Sequence, residues 1–147
     1  MKKLAVLLLT ILMLNACVAT GPAFQELAEP ISDKAVVYIF RQSKFAGSGN
    51  SPELIIDKKT IGSLPNGGYF ETILDAGNHR LEIQFGSPTH IANIGRSISV
   101  EVGRLYFYEY VQSPYLPNLD IHPRDTQEIQ ELPVEDALPI LKGMRQP

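Results

Sequence analysis

Three histidines and one cysteine are the side chains of this 147-residue chain best suited to metal binding or nucleophilic chemistry. His79, His90 and His122 form no short pair and Cys17 stands alone, so the ligand spacing of a transition-metal site is missing. One cysteine cannot close an internal disulfide. No serine lies in a Gly-x-Ser-x-Gly elbow. The Ala46–Pro52 segment, with Gly47-Ser48-Gly49-Asn50, lacks the Gly-Lys-Ser/Thr ending and following helix of a phosphate loop, and reads as a connecting loop. His79 opens a strand on its apolar row, where a partly buried imidazole bonded to turn backbone is expected. The expectation is therefore no catalytic residue, no metal and no cofactor. A hydrolase built from His79 and distant carboxylates is kept as a third reading.

Two other patterns can do chemistry. Arg104, Tyr106, Tyr108 and Tyr110 share one face of a strand, with Leu105, Phe107, Glu109 and Val111 on the other. A row of tyrosines offers apolar rings and hydroxyls to a glycan, a peptidoglycan fragment or a peptide. The competing expectation is that the row fills the space beneath the C-terminal segment. The second pattern is charge on an apolar row: Arg41 follows Val37 and Ile39, and Glu109 follows Leu105 and Phe107. Either charge can reach water at a strand end, or the two can pair on adjacent strands and satisfy each other.

The elements that must position these residues are strands. Lys34–Arg41 is β-branched and aromatic, Glu53–Asp57 and Thr60–Leu64 read as a hairpin, and Tyr69–Leu74 follows the Asn66-Gly67 turn signal. Asn78–Phe85, Arg96–Val102 and Arg104–Gln112 alternate in the same way. Gly68, Gly77, Gly86, Gly95 and Gly103 recur every eight or nine residues, a turn spacing of sandwiches and barrels. The expected fold is all-β: a small antiparallel β-sandwich over 35–112. Residues 113–147 hold six of the eleven prolines and read as a Pro-rich segment. Within it, Val134, Ala137, Leu138 and Leu141 predict a short amphipathic helix packed on the sheet, kinked or started late by Pro139.

The first residues differ from the rest. Lys2 and Lys3 precede an apolar run from Leu4 to Leu14, broken only by Thr10. As a helix it would span about 16 Å against a hydrocarbon core of about 30 Å, too short to cross. Such a pattern reads as a secretory signal. It ends at Leu14-Asn15-Ala16-Cys17, and there it resembles a bacterial lipoprotein signal, with Asn15 departing from the usual small residue. The resemblance implies removal of residues 1–16 and covalent lipid on Cys17, with Val18 rather than Asp favouring the outer membrane, facing the periplasm. Ordinary cleavage after Ala19 is the competing reading. Residues 17–34 then read as the lipidated cysteine and a tether, in which Phe24 and Leu27 could dock on the domain.

The whole chain carries 13 basic and 16 acidic residues. Without Lys2 and Lys3 it keeps 11 basic residues against the same 16, a balance of −5. That charge argues against nucleic acid or anionic lipid as the main partner. The partners expected are the bilayer, through the acyl anchor, and an envelope protein.

Val36-Val37-Tyr38-Ile39-Phe40-Arg41, Ile55-Ile56-Asp57, Ile61-Gly62, Gly68-Tyr69-Phe70 and Gly77-Asn78-His79 resemble the bacterial family catalogued as domain of unknown function 2846. Ile56-Asp57, Ile61-Gly62, Pro65 and Gly77-Asn78-His79 also show a weaker likeness to PEGA-type domains, with Lys58 where those usually have glycine. Both likenesses imply a small β-sandwich on a bacterial envelope protein, and neither implies an activity.

Overall fold

A computed structural model describes residues 18–44, 49–86, 93–112 and 127–147. Cys17 and the signal-like run, part of Ala46–Pro52, His90, His122, Pro114, Pro117 and Pro123 lie outside the described residues.

Among the described residues, eight strands form two four-stranded sheets, packed as an all-β sandwich with one short helix. The first sheet has the order β4-β1-β7-β8, from β4 (Tyr69–Leu74), β1 (Ala35–Phe40), β7 (Leu105–Gln112) and β8 (Gln127–Glu131). The second has the order β3-β2-β5-β6, from β3 (Lys59–Ser63), β2 (Glu53–Ile56), β5 (Gly77–Gln84) and β6 (Ile94–Val100). The named strand pairs are antiparallel except β1 and β7, which run parallel with Phe40 opposite Glu109.

β1 is the centre of the molecule, and all six of its residues are buried. Ala35, Val37 and Ile39 enter the core between the sheets with Leu54, Ile56, Leu81, Ile83, Ile98 and Val100. Val36, Tyr38 and Phe40 face the other way, into a second core with Phe24, Tyr69, Phe107, Ala137, Leu141 and Met144. Burial on both faces explains why the strand is almost continuously apolar. By contrast β5 alternates, because Leu81 and Ile83 point inward while Asn78 and Arg80 face solvent. Close approach of the sheets explains Gly62: a Cβ there would stand 2.8 Å from the Phe70 ring.

The second core is closed by a third layer. Helix α1 (Val134–Leu141) begins directly after Pro133, earlier than Pro139 led one to expect, and packs through Ala137 and Leu141 while Val134 remains exposed. The proline is tolerated because it removes a single donor, and the ladder resumes with Lys142 N–H donating to Leu138 O at 3.2 Å.

Residues 18–34, expected as a tether, instead lie along the domain. Ala19 N–H donates to Asn66 O, Gly21 N–H to Gln146 O and Phe24 N–H to Met144 O. Phe24 then meets Tyr38 and Tyr69 edge-on at 6.4 and 5.6 Å. The apolar area of Phe24, Leu27 and Ile31 has a waiting surface, and that outweighs the freedom of a Gly- and Pro-containing segment.

The β2–β3 hairpin turns at Asp57 and Lys58, with φ of 50° and 69°. Two successive positive φ values define a turn that favours Asn/Asp followed by Gly. Lys58 occupies the second position at a steric cost. Lys58→Gly is expected to raise stability by about 1 kcal/mol in chemical denaturation, with no change in transition steepness.

Candidate functional site

The best-connected polar cluster joins the β2–β3 turn to the start of β5. Asp57 Oδ1 accepts the Arg80 N–H at 2.8 Å and its Oδ2 lies 2.6 Å from His79 Nδ1. The other ring nitrogen, Nε2, is 2.9 Å from the Asp75 carbonyl oxygen. Lys34 in turn forms an ion pair with the Asp75 side chain. Both partners of the His79 ring are acceptors, so only the doubly protonated imidazolium satisfies both. The hydrogen bond to Asp57 raises the His79 pKa, against a smaller opposing effect of burial. The same bond lowers that of Asp57.

With neither ring nitrogen left over, His79 has no lone pair aimed at a substrate or metal, and the contacts fasten two turns together. Among the described residues no group of three or more metal-ligating side chains comes together. Because the folded pKa of His79 lies above its unfolded value near 6.5, its stabilisation is full below about pH 6.5 and fades as pH rises through the folded pKa. The thermal midpoint should therefore decline on that alkaline side. In His79→Gln, which cannot titrate, this part of the slope should vanish, and proton-detected titration of His79 should follow it.

The tyrosine row points into the sandwich. Tyr108 and Tyr110 are each 1% exposed, and Tyr106 packs against the same inter-sheet core. The row thus packs against residues of the second sheet and Ile129 of β8, while helix α1 lies on the opposite face. Arg96 stands over Tyr108 at 5.7 Å and Arg41 over Tyr110 at 5.8 Å. The Tyr110 hydroxyl donates to Gln127 at 2.8 Å, and the Tyr106 hydroxyl accepts the Glu101 N–H at 3.0 Å. Burial pushes the Tyr108 and Tyr110 hydroxyls up to about 12. Arg104 pairs with Glu101 at 3.0 Å in solvent, apart from the buried rings. As a ligand-binding row this set is corrected for Tyr108 and Tyr110, which are buried, while Tyr106 is half-buried.

Arg41 and Glu109 do lie on adjacent strands, and each is 3% exposed. They do not pair. The parallel register sets Glu109 beside Phe40, on the helix side of the sheet, while Arg41 projects from the other side over Tyr110. Among its contacts, Arg41 donates to Asn50 O at 2.6 Å and Gln112 Oε1 at 3.3 Å. Glu109 accepts one hydrogen bond on each oxygen, from Gln42 and Gln130, both at 2.8 Å. For Glu109, carboxamides thus do what a counter-ion was expected to do. Gln42, Lys44, Tyr110 and Gln112 surround Arg41 in a shallow surface depression.

Asp57 was not foreseen as the partner of His79. The signal was present in the resemblance, since Ile56-Asp57 and Gly77-Asn78-His79 both belong to it, and in space the two pieces meet.

The fold and these contacts define a two-sheet β-sandwich whose buried polar groups are engaged in structure. The chain belongs to the family described as protein of unknown function (DUF2846), which matches residues 31–118. The match takes in β1 to β7, while β8, α1 and the docked residues before Ile31 lie beyond it. No curated protein matches the chain.

Proposed function

We propose that the chain is a lipoprotein of the bacterial envelope. Its β-sandwich acts as a non-catalytic structural or protein-interaction module, held by lipid on Cys17 at the outer membrane and facing the periplasm. The observation that carries the anchor is the order Lys2-Lys3, apolar run, Leu14-Asn15-Ala16-Cys17. The domain's contacts supply support from the other side. Cleavage after Ala19 would remove a residue that is 4% exposed and bonded to Asn66, whereas cleavage before Cys17 leaves those contacts whole. Among the described residues no helix is long and apolar enough to cross a membrane.

The non-catalytic reading rests on His79, Arg41 and Glu109, whose polar atoms hold turns and strands in place. The exposed side of the second sheet, with Asn78, Arg80, Ser97 and Ser99, is polar and open to a protein partner. Labelled palmitate should enter the wild-type chain and be lost in Cys17→Ser, and label persisting in that variant would defeat the anchor. Crosslinking in intact cells should then capture one dominant envelope protein.

A further inference from the structure

We infer that the domain is seated directly on the membrane, with the edge formed by Val18, Lys44 and Arg145 against the lipid. This inference rests on the Cys17 anchor proposed above. One peptide step, about 3.8 Å between Cα atoms, separates Cys17 from Val18. Val18 bridges to Asn66, Ala19 is buried, and the following residues run beside Met144 and Gln146. A free tether of seventeen residues would wander through roughly 20–25 Å. The docked segment removes that freedom and fixes which part of the domain meets the anchor.

That edge lies where β1 ends and β4 begins, since Phe40 pairs with Tyr69. It suits a lipid surface. Val18 is a large apolar side chain left 51% exposed. Asn66 Oδ1 holds the backbone of Lys44, and Gly67 O accepts the N–H of Arg145, which places two exposed cationic residues around Val18. Their charge attracts headgroup phosphates although the chain as a whole is acidic. At the other end of β1 stand Asp75, paired with Lys34, and the Asp57–His79 contact. Six residues of strand put that end about 20 Å further from the lipid. The acidic end therefore faces away from the membrane.

The full lipidated chain should be placed in vesicles of phosphatidylethanolamine and phosphatidylglycerol with brominated acyl chains. A fluorophore is attached at Lys44→Cys or, at the far end, at Ala76→Cys, with the Cys17 thiol blocked by its lipid. Emission at position 44 should be quenched at least about twofold more than at position 76, because only the former lies within roughly 10 Å of the interface. Inserting a flexible linker of about 20 residues between Cys17 and Val18 should abolish the difference while leaving palmitate on Cys17. Equal quenching at both positions, or stronger quenching at position 76, in a palmitate-bearing chain overturns the seating and leaves the anchor standing. A chain without palmitate on Cys17 overturns both.

Discussion

Tyr38→Ala is expected to destabilise the protein by about 3–5 kcal/mol, a large share of the roughly 5–15 kcal/mol available to a domain of this size. Tyr38 is fully buried at the centre of β1. Its ring stacks on Phe107 at 5.3 Å with an interplanar angle of 9°, and Phe24 meets it edge-on. Its hydroxyl accepts the Ala28 N–H at 2.7 Å, so one side chain holds both the sheet and the docked N-terminal segment. Burial also pushes its pKa up to about 12. Alanine would empty the contact among Phe24, Phe107 and the helix layer. Tyr38→Phe keeps the ring and removes only the hydrogen bond, for which about 1 kcal/mol is expected. Urea denaturation of the two variants separates the packing from the polar part. Equal losses in both would show that the hydroxyl, not the ring, secures the third layer.

Arg41→Ala should cost about 2–3 kcal/mol, against at most about 0.5 kcal/mol for Lys44→Ala three residues away. The two cations differ in surroundings rather than in charge. Lys44 is exposed, whereas Arg41 is 3% exposed, lies over Tyr110 and donates to Asn50 O and Gln112. Burial lowers its pKa, opposed by a smaller favourable interaction with Tyr110. Removing it leaves those acceptors to be satisfied by water at the sheet edge and takes the aliphatic stem away from the aromatic ring. Glu109→Gln should be far milder than Arg41→Ala, because Gln42 and Gln130 can rearrange around a third carboxamide. Thermal midpoints that fall equally for Arg41→Ala and Lys44→Ala would contradict this assignment.

How much of this was legible in the sequence depends on where the information is local. β1, β5 and the β2–β3 hairpin were readable because alternation and turn chemistry act within a few residues, although the turn falls at Asp57-Lys58 rather than at the expected Lys58-Lys59. β8 was not. Gln-Glu-Ile-Gln-Glu contains one apolar residue, Ile129, and becomes a strand by pairing with the edge of β7. The docking of residues 18–34 was legible only in part: Phe24 and Leu27 stood out as able to dock, but the surface they meet is one that β1, β7 and α1 build together. For Arg41 and Glu109 the adjacent strands and the face within each strand were right, but the two faces lie on opposite sides of the sheet. Their sides depend on the parallel register of β1 and β7, and no short stretch encodes a pairing 69 positions apart. The tyrosine row was correctly placed on one face, but sequence alternation does not say whether a face meets solvent or another sheet. His79 was read as bonded to turn backbone, which the Asp75 carbonyl bears out, while the Asp57 carboxylate arrives from another hairpin.

The exposed residues of the second sheet and the edge around Val18 that we propose to face lipid give the domain two different sides. One is polar and free for a protein partner. The other begins at the residue after the proposed anchor. On this account the lipid does more than retain the protein, because a docked N-terminus turns the anchor into an orientation.

Intact-mass and fragment analysis of the protein recovered from membranes tests the central claim most directly. The account predicts a mature chain beginning at Cys17, carrying a diacylglyceryl group on Sγ and an acyl chain on its amino group. A mature chain beginning at Thr20, or an unmodified Cys17, would contradict it.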